Sequence, residues 1–381
     1  MQSAAFAPLP YKHIERRADG KEDQGIQVIR FDKPEFEGVA VPSDVKDETR
    51  IALDKETESP VLGLQELRSV LASNSLGEKG ITATDSNVLI TPGSKYGIVL
   101  AIKTLVGHGD EVIVTDPGYP LYEFWTQQFG AKIVRLPLDD RFQIAGNTLQ
   151  RALTSKTKLI VLNSPQRFCG LLLQNSGEIA DLLEEHDVWV LSDEIFSGIL
   201  FDNKKFLSPA SQKKLSEKTI VVDSFSKKFG MGRWRIGFAI GPEEIIEKMG
   251  LALSYSMSSV SDFIQSSALK MVRDHPGYAA AILEQLTRRR DLLLKGLDKI
   301  SGLRTVTPDG TFHMVIDVSS FGLSSTEFAT GLLEKANVAV NPGVAFGQRG
   351  EGYVRISFAA VSEPAIASGV EKLEAFVSSR N

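Results

Sequence analysis

The sequence is short of the residues that mark several common classes of protein. A single cysteine, Cys169, excludes an intrachain disulfide framework and fits a reducing compartment. The five histidines are scattered and not grouped with it, so no metal site is expected. A formal net charge of −5 gives no basic footprint for nucleic acid or for an anionic membrane. No apolar run approaches the roughly 20 residues that span a bilayer. The stretch Met1 to Pro10 lacks the basic-then-apolar layout of a secretory leader, so a cytoplasmic location is the expectation. GxGxxG, GxxxxGK[ST] and GxSxG are all missing, as are repeats and low-complexity tracts.

What remains is an ordinary globular composition, 42% hydrophobic and 24% charged, over 381 residues, enough for two domains. The informative stretch is Thr219 to Gly237. It opens as a β-branched apolar run, Thr219 to Val222, which predicts a buried strand. Ser224, Ser226 and Lys227 follow, then a glycine-punctuated loop, Arg235, and a second strand predicted over Arg235 to Ile240. A lysine leaving a buried strand for a loop of small residues is open to desolvation, which favours the neutral amine that condenses with carbonyls. Two serines and an arginine offer the donors that a phosphate dianion needs. A reactive lysine beside a phosphate cradle is the signature expected for pyridoxal 5′-phosphate; an exposed lysine after a strand is the plainer reading.

Other elements carry chemistry in order along the chain. Val88 to Thr91 predicts a strand that turns through Pro92 and Gly93 into a helix from Ser94 to Val106. Gly93 allows close backbone approach, and the free N–H groups at the helix start make an anion seat or an ordinary capped turn. Glu111 to Asp116 predicts a buried strand ending in a turn with Tyr119 and Tyr122. Lys158 to Asn163 and Asp187 to Ser192 predict two more strands, the second running into Asp193 and Glu194. Gly352 to Phe358 places Arg355 inside a strand, an expensive position for an unpaired charge and therefore one that favours a ligand-facing role.

Taken together, Thr91–Ser94 (TPGS), Pro117–Tyr122 (PGYPLY), Asn163–Pro165, Asp193–Glu194, Ser224–Gly237 and Val354–Phe358 (VRISF) resemble the collinear elements of class I/II aminotransferases, the fold-type I pyridoxal-phosphate enzymes. The resemblance implies an α/β fold, with a large doubly wound, mostly parallel sheet domain over residues 46–275. Residues 1–45, which read as an extended N-terminal arm with one strand over Gln27 to Phe31, and residues 276–381 would form that arm plus a small α/β domain. It implies Lys227 as the cofactor-bearing catalytic lysine. Gly93, Ser94, Lys95, Ser224, Ser226 and Arg235 would lie around the phosphate, Tyr119 on the pyridine ring and Asp193 at its nitrogen. Arg355 would clamp the substrate α-carboxylate. It further implies α-amino acid and 2-oxo acid substrates and a homodimer, with the segment at Ser254 to Ser261, which reads as a serine-rich linker, at the subunit interface.

The sequence departs from the family at three points. No tyrosine occurs between Tyr11 and Tyr96, where the family supplies one to the partner's phosphate. Arg167 stands where the family has an asparagine, and either donates to the cofactor's phenolic oxygen, grips a substrate acid group, or turns outward. Phe196 replaces a tyrosine that donates to that same oxygen. Transamination is the leading expectation; a lyase, decarboxylase or oxidase of amino acids is the alternative these changes motivate. A catalytically silent cofactor-binding regulator is disfavoured by the intact Lys227, Asp193, Arg235 and Arg355. Asp32 and Lys33 lie in the arm, where an acid could select a basic side chain. Arg288 to Arg290 is expected on a solvated helix face.

Overall fold

The computed structural model describes residues 11–36, 40–55 and 58–379. The expected extended arm therefore has its first ten residues, and residues 37–39, outside the described residues. The rest corrects the expectation, because Lys12–Glu22 is a helix that buries Ile14 and Ala18, one turn apart. A two-residue strand, β1 (Ile29–Arg30), is what remains of the strand expected at 27–31.

Helices Ser43–Leu53 and Gln65–Lys79 lead into the larger sheet. Its strands are β2 (Val88–Thr91), β3 (Glu111–Asp116), β4 (Lys132–Pro137), β5 (Thr157–Asn163), β6 (Trp189–Asp193), β7 (Thr219–Ser224) and β8 (Gly237–Ile240). They lie in the order β2-β8-β7-β6-β5-β3-β4, all running the same way except β8, which is antiparallel to both neighbours. The central strands read as nearly unbroken Val/Ile/Leu runs because both sheet faces are covered. Val112, Val114, Leu159, Val161, Ile220 and Val222 pack one way, against helices Ser94–Leu105 and Glu243–Met257. Their alternates point the other way, Ile113, Ile160 and Leu162 into one core and Val221 into another.

The last third builds a smaller antiparallel sheet. Its strands are β9 (Arg304–Val306) and β10 (His313–Asp317); after β11 (Val338–Ala339) come β12 (Asn341–Pro342) and β13 (Tyr353–Ser357), in the order β12-β13-β10-β9. One face packs with helices Tyr278–Leu297 and Glu363–Ser378, and the other meets the loops of the larger sheet through Val315 and Phe346. β11 pairs in parallel with β1, which carries the start of the chain to its last third.

Two further expectations are corrected. Residues 254–257 continue the Glu243–Met257 helix, so the serine-rich linker is only 258–261. In the arginine triplet only Arg288 is solvated. Arg290 forks Asp202 at 2.7 and 2.9 Å and lies over Phe201, while Arg289 donates to the Ala359 carbonyl. Both are buried. Among the described residues no helix is long and apolar enough to cross a membrane.

Candidate active site

The register of the larger sheet assembles the site. Asn163 of β5 stands opposite Asp193 of β6, which stands opposite Val222 of β7, so three parallel strands end at nearly the same level. Ligands of such sheets collect at the carboxyl ends of the strands. Because β8 runs backwards between β2 and β7, Gly237 faces both Thr91 and Ser224. The turn after β2, the end of β7 and the start of β8 therefore converge.

At that convergence the donors that could hold an anion come together. Gly93 has φ +81, and a Cβ there would sit 2.4 Å from Arg235 Nη2, so the guanidinium rests directly on the glycine. A Cβ on Gly237 would come within 2.7 Å of the Ser94 nitrogen, which shows how tightly the two turns pack. Arg235 itself is left-handed at φ +55, an uncommon state for a side-chain-bearing residue and one that gathers at functional sites. It precedes the strand rather than starting it, correcting the predicted boundary. Ser94 opens a twelve-residue helix, whose first N–H groups have no intrahelical partner and could bind an anion. Ser224 Oγ accepts the Ser226 N–H at 3.2 Å, and its own N–H donates to Asp223 Oδ1 at 2.7 Å. Lys95 is exposed at the rim.

Lys227 sits on the turn after β7, partly buried, with Nζ donating to the Pro34 carbonyl at 2.9 Å and 4.8 Å above the Phe312 ring. Desolvation, reinforced by Arg167, Lys95 and Arg235 and opposed by Glu35, lowers its pKa to about 7. Asp193 is fully buried, accepts a 2.6 Å hydrogen bond from Tyr122 Oη and lies 3.6 Å from Arg167 Nη2. Tyr119 meets Tyr122 edge-on at 5.6 Å.

Arg167 turns inward. Its N–H donates to Asn163 Oδ1 at 2.7 Å, and its guanidinium lies 4.1 Å over the Tyr119 ring and 5.3 Å from that of Phe196. Arg355 approaches from β13, buried, with Nη1 donating 3.3 Å to the Arg167 carbonyl and the guanidinium 4.2 Å over Phe346. It makes no ion pair among the described residues, and its Nε has no partner. Burial, with Arg167 adding to it and Tyr11 opposing, pulls its pKa down to about 9. A buried arginine in that condition is a seat for an anion.

Sequence reasoning missed several members. Lys79, fully buried, reaches Glu194 at 3.0 Å, Asp223 at 2.8 Å and Ser197 at 2.8 Å, bracing the ends of β6 and β7 from behind. Glu194 was visible as the second acid of its pair; nothing in the sequence marks Lys79. Tyr11 stacks on Phe346 at 5.7 Å. His313 is buried beside Phe196 and Phe312. Asp32 is committed elsewhere, since Arg30 forks it with two 2.8 Å bonds, so it is not available to select a basic substrate.

Comparison with known proteins gives the same picture. The family model described as aminotransferase class I and II matches residues 37–373. The chain is 35% identical to aromatic-amino-acid aminotransferase 2 of Thermococcus litoralis, covering 89% of each. It is 33% identical to an aspartate aminotransferase of Pyrococcus horikoshii, over 93% of this chain and 91% of that protein. The structure of aspartate aminotransferase from Thermus thermophilus with maleate superposes with a TM-score of 0.91 at 30% identity, covering 98% of this chain and 97% of that one.

Proposed function

This chain belongs to the class I and II aminotransferase family, and from that premise we propose that it moves the amino group of an α-amino acid to a 2-oxo acid with pyridoxal 5′-phosphate held in the crevice described above. The observation that carries the proposal is the pairing of Lys227, lowered to about 7, with a buried Arg355 that lacks an anion. The residues fit the group. Gly93, Ser94, Ser224, Ser226, Arg235 and the nearby Lys95 suit a phosphate, and Asp193 suits a protonated ring nitrogen. Tyr119 offers an aromatic face, over which Arg167 lies at 4.1 Å, that would hold the pyridine ring by stacking.

When bound, pyridoxal phosphate supplies an electron sink for the pair of electrons left at the substrate Cα. The chain's own residues do the rest. Arg355 holds the α-carboxylate and so sets the direction of the Cα–H bond. Lys227 Nζ, neutral in half its molecules near pH 7, takes that proton and returns it as an acid. Asp193, kept in place by Tyr122, holds negative charge at the bottom of the crevice.

The reading extends to organisation. Residues 46–275 would form the large domain, and 1–45 with 276–381 the small one, which the β1–β11 pairing supports. A homodimer is supported by exposed Leu251, Tyr255 and Met257 along one helix end. The cytoplasm is the proposed location. The inward Arg167 and the fully buried Phe196 favour, as a second reading, a lyase, decarboxylase or oxidase on the same scaffold.

The test mixes the loaded protein anaerobically with single amino acids, follows the cofactor's absorbance and identifies products by mass spectrometry. Pyridoxamine phosphate plus the matching 2-oxo acid is the expected result. Ammonia, carbon dioxide or an eliminated group with the cofactor regenerated would replace it with the second reading, as would turnover seen only in air.

A further inference from the structure

Among the described residues nine buried side-chain polar atoms have no hydrogen-bond partner, and six of them belong to one group: Arg167 Nε, Arg355 Nε, Asn341 Oδ1, Ser357 Oγ and both ring nitrogens of His313. Buried polar atoms are ordinarily satisfied, so a cluster of this kind is capacity held for a ligand or for water.

The sheet register explains the grouping. Residues directly opposite in an antiparallel pair share a face. β10 and β13 place His313 opposite Ser357 and Val315 opposite Arg355, and β12 places Asn341 opposite Arg355. All five therefore look toward the larger sheet, while Met314, Ile316, Val354 and Ile356 fill the core behind. The α-carboxylate accounts for Arg355, and Asn341 already donates its amide to the Asp32 carbonyl at 2.9 Å. Nothing described so far accounts for His313 and Ser357.

Their position is next to the reacting groups. The His313 ring lies 4.7 Å from that of Phe312, over which Lys227 Nζ sits at 4.8 Å, and meets Phe196 edge-on at 5.5 Å. We propose that His313 and Ser357 form a third recognition point, beyond the substrate's carboxylate and amine, that takes a neutral hydroxyl or carboxamide on its side chain. This rests on the aminotransferase reading above and names the substrate class of that same site.

The chemistry selects among groups. Burial, then Arg355, Arg167 and Lys227, hold the His313 pKa well below its usual value, so the ring is neutral, with one donor and one acceptor nitrogen. The Ser357 hydroxyl adds another donor and acceptor. An apolar side chain would leave these groups buried and unpaired. A cationic one would meet the Arg355 and Arg167 guanidinium groups. A carboxylate would gain from the arginines but brings acceptors only, and leaves the acceptor nitrogen of the ring unpaired. A hydroxyl or carboxamide matches both partners at once.

The experiment uses the loaded enzyme and near-isosteric amino acid pairs: threonine and valine, asparagine and leucine, tyrosine and phenylalanine, with aspartate and lysine alongside. Single-turnover kcat/KM is measured, together with spectral dissociation constants for the unreactive 2-methyl analogues of the same set. One neutral polar member should exceed its apolar counterpart by at least about tenfold. His313→Phe, nearly isosteric in an aromatic nest, should bring that ratio near one, chiefly through KM. His313→Gln, which keeps a donor and an acceptor, should preserve part of it, and Ser357→Ala should reduce it. A wild-type preference for aspartate, lysine or the apolar members would overturn the proposal, as would a polar preference that survives both His313→Phe and Ser357→Ala. If no amino acid is turned over at all, the aminotransferase reading falls, while the dissociation constants still decide this one.

Discussion

Replacing Arg167 by methionine should leave Lys227 able to capture pyridoxal phosphate but shift the pH at which it does so. Capture needs the neutral amine, so its rate rises with pH through the lysine's own pKa and then levels off. With that pKa near 7, about half the amine is neutral at pH 7, against about one part in 3,000 for a lysine at its ordinary value. Arg167 is the first charge acting on Lys227 after desolvation itself. Removing a like charge from such a crevice raises the pKa by about one unit. The neutral fraction at pH 7 then falls to about one tenth, while at pH 9 it stays near nine tenths. The ratio of capture rates at pH 7 and pH 9 should therefore drop from about 0.5 to about 0.1. A ratio within one variant cancels any loss of contacts that Arg167 makes to the cofactor. Stopped-flow absorbance gives the rates, and borohydride trapping with peptide mass mapping confirms Lys227 as the attachment point. A wild-type midpoint near 10 would refute the desolvated lysine, and a ratio that does not move in the variant would refute the share assigned to Arg167.

Lys79→Met should cost about 3–5 kcal/mol in urea unfolding, because it leaves Glu194 and Asp223 buried without their cation. The same variant should bind pyridoxal phosphate more weakly, since Asp223 then loses its hold on the Ser224 N–H; full affinity in a titration would detach the network from the cradle. Arg355→Lys keeps a charge but not the planar fork. Losing one charge-assisted bond of about 1.5–3 kcal/mol should lower kcat/KM about ten- to a hundredfold for every amino acid tested. A loss confined to particular side chains would place Arg355 elsewhere than on the carboxylate.

Legibility in the sequence followed locality. Val88–Thr91 was readable to the residue because a strand buried along its whole length reads as an unbroken apolar run, closed here by Pro92 and Gly93. Asp193 and Arg355 were readable because charges at the end of, or inside, an apolar strand need a reason. The helix Lys12–Glu22 was hidden: its Arg, Lys and Glu residues suit a helix, but Gly20 and an apolar face reduced to Ile14 and Ala18 leave almost no periodic signal. Part of what holds it is distant, with Arg17 and Lys21 on Glu334, and part is the Arg30 guanidinium on Asp19 and Glu22, which local pattern alone does not reveal. Arg289 and Arg290 misled for the same reason, since their partners Ala359 and Asp202 lie about 70 and 90 residues away. The inward turn of Arg167 depends on Asn163, four residues earlier, and on a tyrosine face delivered by another strand.

The parallel pairing of β1 with β11 has a consequence for how the molecule is made. Roughly 300 residues separate the two partners along the chain. On a ribosome adding ~5–20 residues per second, β1 emerges and then waits on the order of 15–60 s for the strand it must pair with. During that interval all seven strands of the larger sheet are already out, so the nascent chain can complete its centre while its beginning stays unclaimed. An unpaired strand edge held open for so long is an invitation to the wrong neighbour. Brevity is one protection, and two residues offer little to grip. Arg30, with Asp19 and Glu22 close by in sequence, supplies another by surrounding that edge with charge before its proper partner exists.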